Sequence, residues 1–297
     1  MTSIILGKNQ YGKAENRVVR ITRDTDRHEI EDLNVTSQLR GDFASAHFDG
    51  NNENVVATDT QKNTVFAFAK DGVGSPEEFL LRLGRHFTGE FDWVTGGRWA
   101  AEQYTWLRIE GDAGEHDHAF VRGGTETRTA VVQIDGDDTT VIAGLQDLTV
   151  LKSTASGFVG YPRDKYTTLP ETEDRILATS VTARWRYNRN DLDFNEVYAD
   201  VRRLLLAGFS RNYSYALQHT LKEMAEAVLD AHPEIDEIRF STPNKHHFVV
   251  DLSPFGLENP NEVFYAADRP YGLIEASFLR DGADADHWSW DGIAGFC

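Results

Sequence analysis

The stretch from Ser241 to Asp251 is predicted to be a strand that carries polar groups where a core would have none. Side chains alternate between the two faces of a strand, so Asn244 and His246 should point one way and His247 the other. An amide beside an imidazole can hold a small polar molecule or a water, and the imidazole can exchange a proton near neutral pH. The alternative is a surface strand with a satisfied histidine.

A long irregular stretch, residues 153–176, exceeds the usual loop length, and such loops often carry function. Within it, the Phe158 ring offers a face for stacking, and the Arg175 guanidinium offers a planar donor fork for carbonyls or anions. Phe158 can instead pack under the loop, and Arg175 can instead form a salt bridge with Glu173 or Asp174. Both interpretations stay open at this point.

Three more polar residues lie near predicted helix starts or turns. Thr58 with Gln61 fits a capping box, so Thr58 should be the N-cap of a helix whose positive end favours an anion. Gln218 is expected four residues past the cap of a later helix, where its amide can face solvent. Lys13 follows a flexible glycine. A plain N-cap for Thr58 and a solvated side chain for Lys13 are the alternatives.

The elements that must position these residues form two similar series. In each half of the chain, the residue pattern predicts strands, then two helices, then strands, which is typical of an α+β unit. Ser75 and Ser214 begin corresponding helices 139 residues apart (214 − 75), close to half the chain. A short polar turn, Asp135 to Asp138, is the best boundary, giving domains 1–135 and 136–297. The predicted helices begin at Thr58, Ser75, Asp193 and Ser214.

Composition narrows the class of protein. The 297 residues carry a formal net charge of −18, and an acidic surface argues against nucleic acid as a partner. The only cysteine is Cys297, which excludes an internal disulfide and favours a reducing compartment. The sequence contains neither a long apolar N-terminal region nor a run of about 18 apolar residues. We therefore expect a cytoplasmic protein with no membrane partner.

Cofactor signatures are absent from the sequence, since it has no G-x-G-x-x-G after a strand, no P-loop and no H-E-x-x-H. A metal could be held by His116 with His118, or by His246 with His247. The first pair has no evident third ligand, and adjacent residues in a strand diverge. We expect no cofactor and no metal.

Six short motifs occur in order along nearly the whole chain, and together they resemble urate oxidase, the uricase family, of the bacterial type. No motif alone is specific, whereas the ordered set is highly specific. The motifs are Tyr11-Gly-Lys13, Ala57 to Thr64, Leu151-Lys-Ser-Thr154, Arg163 to Leu177, Leu217-Gln218 and Ser241 to His246.

The resemblance implies a tandem tunnelling fold (T-fold), in which each half contributes antiparallel strands backed by helices and subunits pair to close barrels. It implies a homotetramer with active sites at subunit interfaces. The implied activity is cofactor-independent oxidation of urate by O2 and water to 5-hydroxyisourate and hydrogen peroxide, the first step of urate degradation towards allantoin. Urate, O2, water and further copies of the chain are then its partners.

Residues for substrate binding follow from the same resemblance. Arg175 and Gln218 look like an in-plane clamp on urate, with the Leu217 backbone assisting and Phe158 stacked over the ring. The chemistry agrees with this interpretation. Urate is flat, anionic and lined with carbonyl and N–H groups, so it suits an aromatic ring, a guanidinium fork and an amide that both donates and accepts.

Residues for catalysis are implied as well. Lys13, Thr58 and Asp59 would come from the neighbouring subunit, with Thr58 and Asp59 touching the substrate. Lys13, acting through the Thr58 hydroxyl, would draw a proton from urate, and Asn244 and His246 would complete the pocket on the oxygen and water side. A lysine with an ordinary pKa of about 10.4 is a poor base at neutral pH, so this role predicts partial desolvation or a nearby cation.

Two other functions remain open at this stage. A cyclohydrolase or aldolase of the same fold would anchor its purine or pterin ring with a glutamate, whereas Gln218 fills that place here. A purine-binding protein without activity would have no use for Lys13 and Thr58. The chain ends in Ala294-Gly-Phe-Cys297 rather than in a peroxisomal S-K-L, so the location of many eukaryotic relatives does not transfer.

Overall fold

The structure, a computed structural model, describes residues 4–112 and 114–296. Cys297, on which the expectation of a disulfide-free chain rests, lies outside the described residues. Within the described ranges, no helix is both long enough and apolar enough to cross a bilayer.

The first compact unit comprises Met1–Gly144 and Arg186–Asn195. Its successive strands pair antiparallel, so that neighbours in the sheet are neighbours in the chain. The elements are β1 (Tyr11–Thr22), β2 (Glu29–Gly41), α1 (Ala44–Phe48), α2 (Thr58–Lys70), α3 (Pro76–Glu90), β3 (Val94–Gly111), β4 (Gly114–Asp135) and the first part of β5 (Asp138–Lys152).

The second compact unit comprises Leu145–Trp185 and Glu196–Cys297. Its last two strands form a long antiparallel pair. After the remainder of β5 come β6 (Leu177–Tyr187), α4 (Phe194–Arg211), α5 (Leu217–Ala231), β7 (Ile235–Val249) and β8 (Phe264–Leu279).

The fold class predicted from the sequence is confirmed, because both units consist of antiparallel strands backed by helices. The irregular character of residues 153–176 is confirmed as well. These residues follow β5 and precede β6, and their only strand-like pairings in the described chain are isolated bridges. The domain boundary at residues 135 and 136 stays a prediction.

The core of the first unit forms where α2 packs on β1, and α3 on β3 and β4. Leu33, Val35 and Leu39 are buried at every second or fourth position of β2, as expected for a strand with one face against helices. From α3, Phe79 and Phe87 are fully buried beneath that face. Burying each such side chain stabilises the fold by about 1.5–3 kcal/mol.

The second unit buries one face of α5 against β7 and β8. Leu221, Met224 and Val228 repeat at helical spacing on that face and are almost inaccessible, as are Ile238 and Phe240 on β7. Because α5 packs on β7, this packing fixes the first turn of α5 relative to the strand that carries Asn244.

The helix starts predicted at Ser75 and at Thr58 have different outcomes. Ser75 is an N-cap as predicted, because its hydroxyl accepts from the Glu78 N–H and the Glu78 carboxylate accepts from the Ser75 N–H. The prediction for Thr58 is wrong, since Ala57 is the N-cap and Thr58 is the first residue of α2. Gln61 is buried instead of turning back, and its amide oxygen accepts from the Ser37 hydroxyl at 2.9 Å.

The helix predicted from Ser214 also begins later than expected. Its N-cap is Ala216 and its first residue is Leu217. Ser214 lies in extended chain before it, with its hydroxyl oxygen 2.5 Å from that of Thr220. Gln218 consequently belongs to the first turn of α5, not to its second.

These caps give a testable contrast. We expect Ser75→Ala to lower the free energy of unfolding by about 1 kcal/mol, because the Glu78 N–H loses its acceptor. Thr58→Ala should leave that free energy unchanged, since the Thr58 side chain caps nothing. Denaturant unfolding of the two variants and the wild type measures both effects, and equal losses in the two variants would contradict the corrected cap assignment.

Candidate active site

A cavity of about 670 Å3 lies in the second unit, within the range of about 300–1,000 Å3 that is usual for small-molecule sites. Four segments of the chain supply its walls, namely the irregular loop before β6, the start of α5, the end of β7, and β8 with the residues just before it. Among the lining residues are six predicted site residues, Phe158, Arg175, Leu217, Gln218, Asn244 and His246.

Backbone hydrogen bonds hold the wall that carries Phe158. Its N–H donates to the Thr172 carbonyl at 2.7 Å, and the Thr172 N–H donates back at 3.2 Å. One residue earlier, the Gly157 N–H donates to the Ser214 carbonyl at 2.9 Å. A side chain at Gly157 would begin 2.2 Å from the Tyr213 hydroxyl and 3.0 Å from the Thr172 carbonyl oxygen, so a larger residue requires these groups to shift. The loop is therefore irregular but firmly attached.

Arg175 is half-buried, and its Nε is fully buried without a hydrogen-bond partner among the described residues. The salt bridges considered above do not form. The Asp174 carboxylate accepts from the Thr154 hydroxyl, and the Glu173 carbonyl accepts from the Tyr213 hydroxyl. Burial lowers the pKa of Arg175, yet a guanidinium stays charged at neutral pH. A cation with a buried, unsatisfied donor beside a cavity favours an anionic or carbonyl ligand.

The aromatic wall and this cation are close together. The guanidinium carbon of Arg175 lies 5.2 Å from the centroid of the Phe158 ring. A flat ligand stacked on Phe158 would thus present its edge to the guanidinium fork. Such a geometry suits a ring that has both a π-face and carbonyl groups at its rim.

Gln218 and Leu217 open α5 at the cavity. The first N–H groups of a helix have no partner within the helix and carry a partial positive charge. The Leu217 side chain is buried, whereas Gln218 is exposed and can turn its amide to a ligand. This end of the helix therefore offers backbone donors and an amide on the same side.

Asn244 and His246 stand on β7 at a break in its pairing with β8. Asn244 pairs with Gly272, whereas His246 pairs with Ala267, so the register shifts between them. His247 lines the cavity too. The register shift lies between Asn244 and His246, whereas His246 and His247 pair in regular register with Ala267 and Ala266. The prediction that the side chains of His246 and His247 point to opposite faces of the strand stays a prediction.

The imidazole of His246 is kept neutral near pH 7. Burial lowers the pKa of His246, and the positive charge of Arg175 and the neighbouring His247 lower it further. A neutral imidazole has one donor and one acceptor nitrogen, so it can orient a water molecule.

The three remaining predicted residues belong to the first unit and do not line the cavity. Lys13 lies on β1 where its register with β2 shifts, and Thr58 and Asp59 open α2, which packs on β1. The Asp59 carboxylate accepts hydrogen bonds from Lys62 and Asn63. Lys62 lowers the pKa of Asp59, and Lys13 contributes to the same effect. These residues therefore form a small charged group of their own.

No group of three or more histidine, cysteine or acidic residues is arranged to hold a metal in residues 4–112 and 114–296. In the His116 and His118 pair, the rings meet edge to face at 4.5 Å, and the Nδ1 of His116 accepts from the His118 N–H. One nitrogen of that pair is thus already occupied.

Two residues at the site were not predicted from the sequence. His247 lines the cavity. Tyr213 does not line it, but its hydroxyl donates to the carbonyl of Glu173, which is 40 residues away in the chain. A hydroxyl that holds a distant carbonyl leaves no local pattern.

An antiparallel sheet backed by helices is the arrangement of a tunnelling-fold protein, and the cavity in its second unit brings together an aromatic ring, an unsatisfied guanidinium nitrogen and an amide. Comparisons with known proteins identify its family. The sequence model of the uricase family matches residues 9–133 and 141–275. The chain therefore belongs to the uricase family.

Individual relatives agree with this assignment. A uricase from Arthrobacter globiformis is 66% identical over 296 residues, which cover all of this chain and 97% of the relative. A uricase from Dictyostelium discoideum is 38% identical over 92% of this chain and 96% of its own length. The crystal structure of the Arthrobacter globiformis uricase matches with a TM-score of 0.94 at 65% identity, over 97% of this chain and 99% of that chain. A uricase from Bacillus fastidious, at 24% identity and a TM-score of 0.79 over 92% of this chain and 94% of that chain, shares the fold.

Acidification should destabilise the protein partly through His246. Because the folded chain lowers the pKa of His246, the unfolded chain takes up the proton first as the pH falls below 6.5. This contribution to stability is complete above the unfolded pKa and is lost as the pH falls towards the lower folded pKa. We expect His246→Gln to lose less stability than the wild type between about pH 7 and about pH 5, in thermal unfolding experiments.

Arg175→Gln provides the matched control for this experiment. It removes one of the charges that lower the pKa of His246, so its pH dependence should lie between those of the wild type and His246→Gln. Identical pH dependence of all three proteins would show that His246 is not the responsible group.

Proposed function

We propose that this chain oxidises urate with O2 and water to 5-hydroxyisourate and hydrogen peroxide in the cavity beside Arg175, without a cofactor. The observation that carries the proposal is the buried, unsatisfied Nε of Arg175 next to the Phe158 ring, within a chain of the uricase family. Urate is flat and anionic, and it presents carbonyl and N–H groups around its edge. It supplies the acceptor that Arg175 lacks.

Each wall of the cavity has a role in this proposal. Phe158 stacks on the purine, Arg175 and Gln218 clamp its edge, and the Leu217 N–H at the start of α5 adds a donor. The amide of Gln218 both donates and accepts, which matches a purine edge where N–H and carbonyl groups alternate. A cyclohydrolase of this fold would anchor its ring with a glutamate, whereas this chain has Gln218 in that place. A glutamate there would also set a negative charge against anionic urate. Both points disfavour the cyclohydrolase interpretation.

Oxidation by O2 without a helper group requires an electron-rich substrate, so urate must lose a second proton. Lys13, acting through the Thr58 hydroxyl, is the proposed base, with Asp59 beside them at the substrate. Thr58 is the first residue of α2, where the positive end of the helix stabilises developing negative charge. These residues act on the cavity of a neighbouring subunit, because they do not line the cavity of their own second unit.

The remaining steps take place above the ring. The urate dianion transfers two electrons to O2, and one proton completes a hydroperoxide at C5. The hydroperoxide then leaves with a proton as hydrogen peroxide, and a water molecule adds to C5 to give 5-hydroxyisourate. Asn244 lies on the oxygen side, and the neutral His246 orients the water together with Asn244 and Thr58.

Assembly of copies is part of the proposal, as a homotetramer with active sites at subunit interfaces in the cytoplasm. Support comes from apolar side chains exposed on β7 and β8 close to the cavity. Phe248 is 47% exposed, Tyr265 is 65% exposed and Leu273 is 57% exposed. Contiguous exposed apolar groups of this kind mark surfaces that are covered by a partner.

The activity is tested by following urate absorbance and O2 uptake together, with purified protein that has been treated with a chelator. We expect one O2 consumed and one hydrogen peroxide formed per urate, at the same rate before and after chelation. Loss of activity on chelation would support a metal-dependent oxidase. Binding of urate without turnover would support a purine-binding protein, and either result would overturn the proposal.

The base is tested separately from binding. Lys13→Met and Thr58→Ala should lower kcat by about 10²–10⁴-fold, because proton transfer loses its acceptor. The Kd of xanthine, a flat purine that needs no deprotonation to bind, should change far less. Lys70→Met at the exposed end of α2 removes the same charge and serves as the control with unchanged kcat. Equal losses in kcat and xanthine affinity would refute the assigned base.

A further inference from the structure

A second aromatic ring lies behind the wall of the cavity. The rings of Tyr161 and Phe158 are stacked, with centroids 4.7 Å apart and planes inclined by 12°. Phe158 lines the cavity, whereas Tyr161 does not. Tyr161 therefore stacks on the Phe158 ring from outside the set of residues that line the cavity.

The loop is built to hold Tyr161 in this place. Gly160 has a φ of 76°, a left-handed conformation that turns the chain back so that residues three apart can stack. The N–H of Gly160 donates to the Glu171 carboxylate at 2.9 Å. The Tyr161 hydroxyl donates to the Leu169 carbonyl at 2.5 Å. Tyr161 is thus fixed at its backbone and at the tip of its ring.

Stacking on Phe158 requires a fixed ring plane. The backbone bridge with Thr172 fixes where the Phe158 side chain begins, but it leaves rotation about the side-chain bonds free. Only a group packed against the ring restricts that rotation. Tyr161 is that group, and the guanidinium carbon of Arg163 lies 5.8 Å from the centroid of the Tyr161 ring.

We infer that Tyr161 is a positioning residue of the substrate site, which holds the Phe158 ring in the plane that a flat purine requires. The inference rests on the proposed function, because it takes Phe158 as the stacking surface for urate. Tyr161 touches neither substrate nor O2 in this assignment. It lowers the entropy that Phe158 must lose when the ligand binds.

Replacing the ring should impair binding more than chemistry. In the full-length protein, we expect Tyr161→Leu to raise the Kd of xanthine and the KM of urate about threefold to tenfold, the range that corresponds to loss of one aromatic stack. The kcat should fall less than twofold, which also shows that the variant is folded. Tyr161→Phe keeps the ring and should stay close to the wild type.

Tyr166 offers a matched control in the same loop, since it is 76% exposed and the Lys165 ammonium lies 4.8 Å from the centroid of its ring. Tyr166→Leu should leave xanthine affinity unchanged. Equal losses in Tyr166→Leu and Tyr161→Leu would overturn the inference, since they would show a general effect on the loop. An unchanged Kd in Tyr161→Leu would overturn it too.

A double-mutant cycle with Phe158→Leu separates the inference from the proposed function. Tyr161→Leu should have no further effect on xanthine affinity once the Phe158 ring is absent, whereas an undiminished effect would overturn the inference. If Phe158→Leu itself binds xanthine as tightly as the wild type, the proposed stacking surface is wrong. If Phe158→Leu weakens binding and Tyr161→Leu does not, only the role of Tyr161 is wrong.

Discussion

A buried guanidinium nitrogen without an acceptor is the constraint around which the second unit is arranged. Removing a charged donor from water without a new partner is unfavourable, and a fold keeps such a group only when its surroundings leave no alternative. The carboxylate of the adjacent Asp174 accepts from the Thr154 hydroxyl instead, so it does not satisfy the Nε of Arg175. Its Nε is therefore left for a ligand, and the identity of the family supplies one with carbonyl oxygens and a negative charge.

Keeping Arg175 in this state requires a rigid loop without regular structure. The loop achieves rigidity through hydrogen bonds to distant segments, such as those from Gly157 to the chain before α5 and from Phe158 to Thr172. α5 is in turn fixed by its apolar face against β7 and β8. The ordinary hydrophobic core thus sets the distance between the aromatic wall and the start of the helix, and the polar chemistry depends on that core.

Local signals predicted local structure well. Ser75 was recognised because its partner Glu78 is three residues away, and strand pairs were recognised because one face of each is buried at regular intervals. Thr58 was misassigned because Gln61, its apparent partner, bonds to Ser37 in the core, 24 residues distant. The site residues were found through the ordered motifs of a family, whereas their convergence on one cavity depends on packing. The contact between Tyr161 and Phe158 follows from the left-handed turn at Gly160, which a sequence pattern does not reveal.

The close approach at Gly157 has a consequence for engineering this protein. Even a methyl group there would lie 2.2 Å from the Tyr213 hydroxyl, so a larger residue requires the Tyr213 side chain to move and to give up its hydrogen bond to the Glu173 carbonyl. Variant libraries that aim to change which ring the cavity accepts are best directed at its outer rim, while Gly157 is kept. Gly157 thereby limits how far the wall that carries Phe158 can be redesigned.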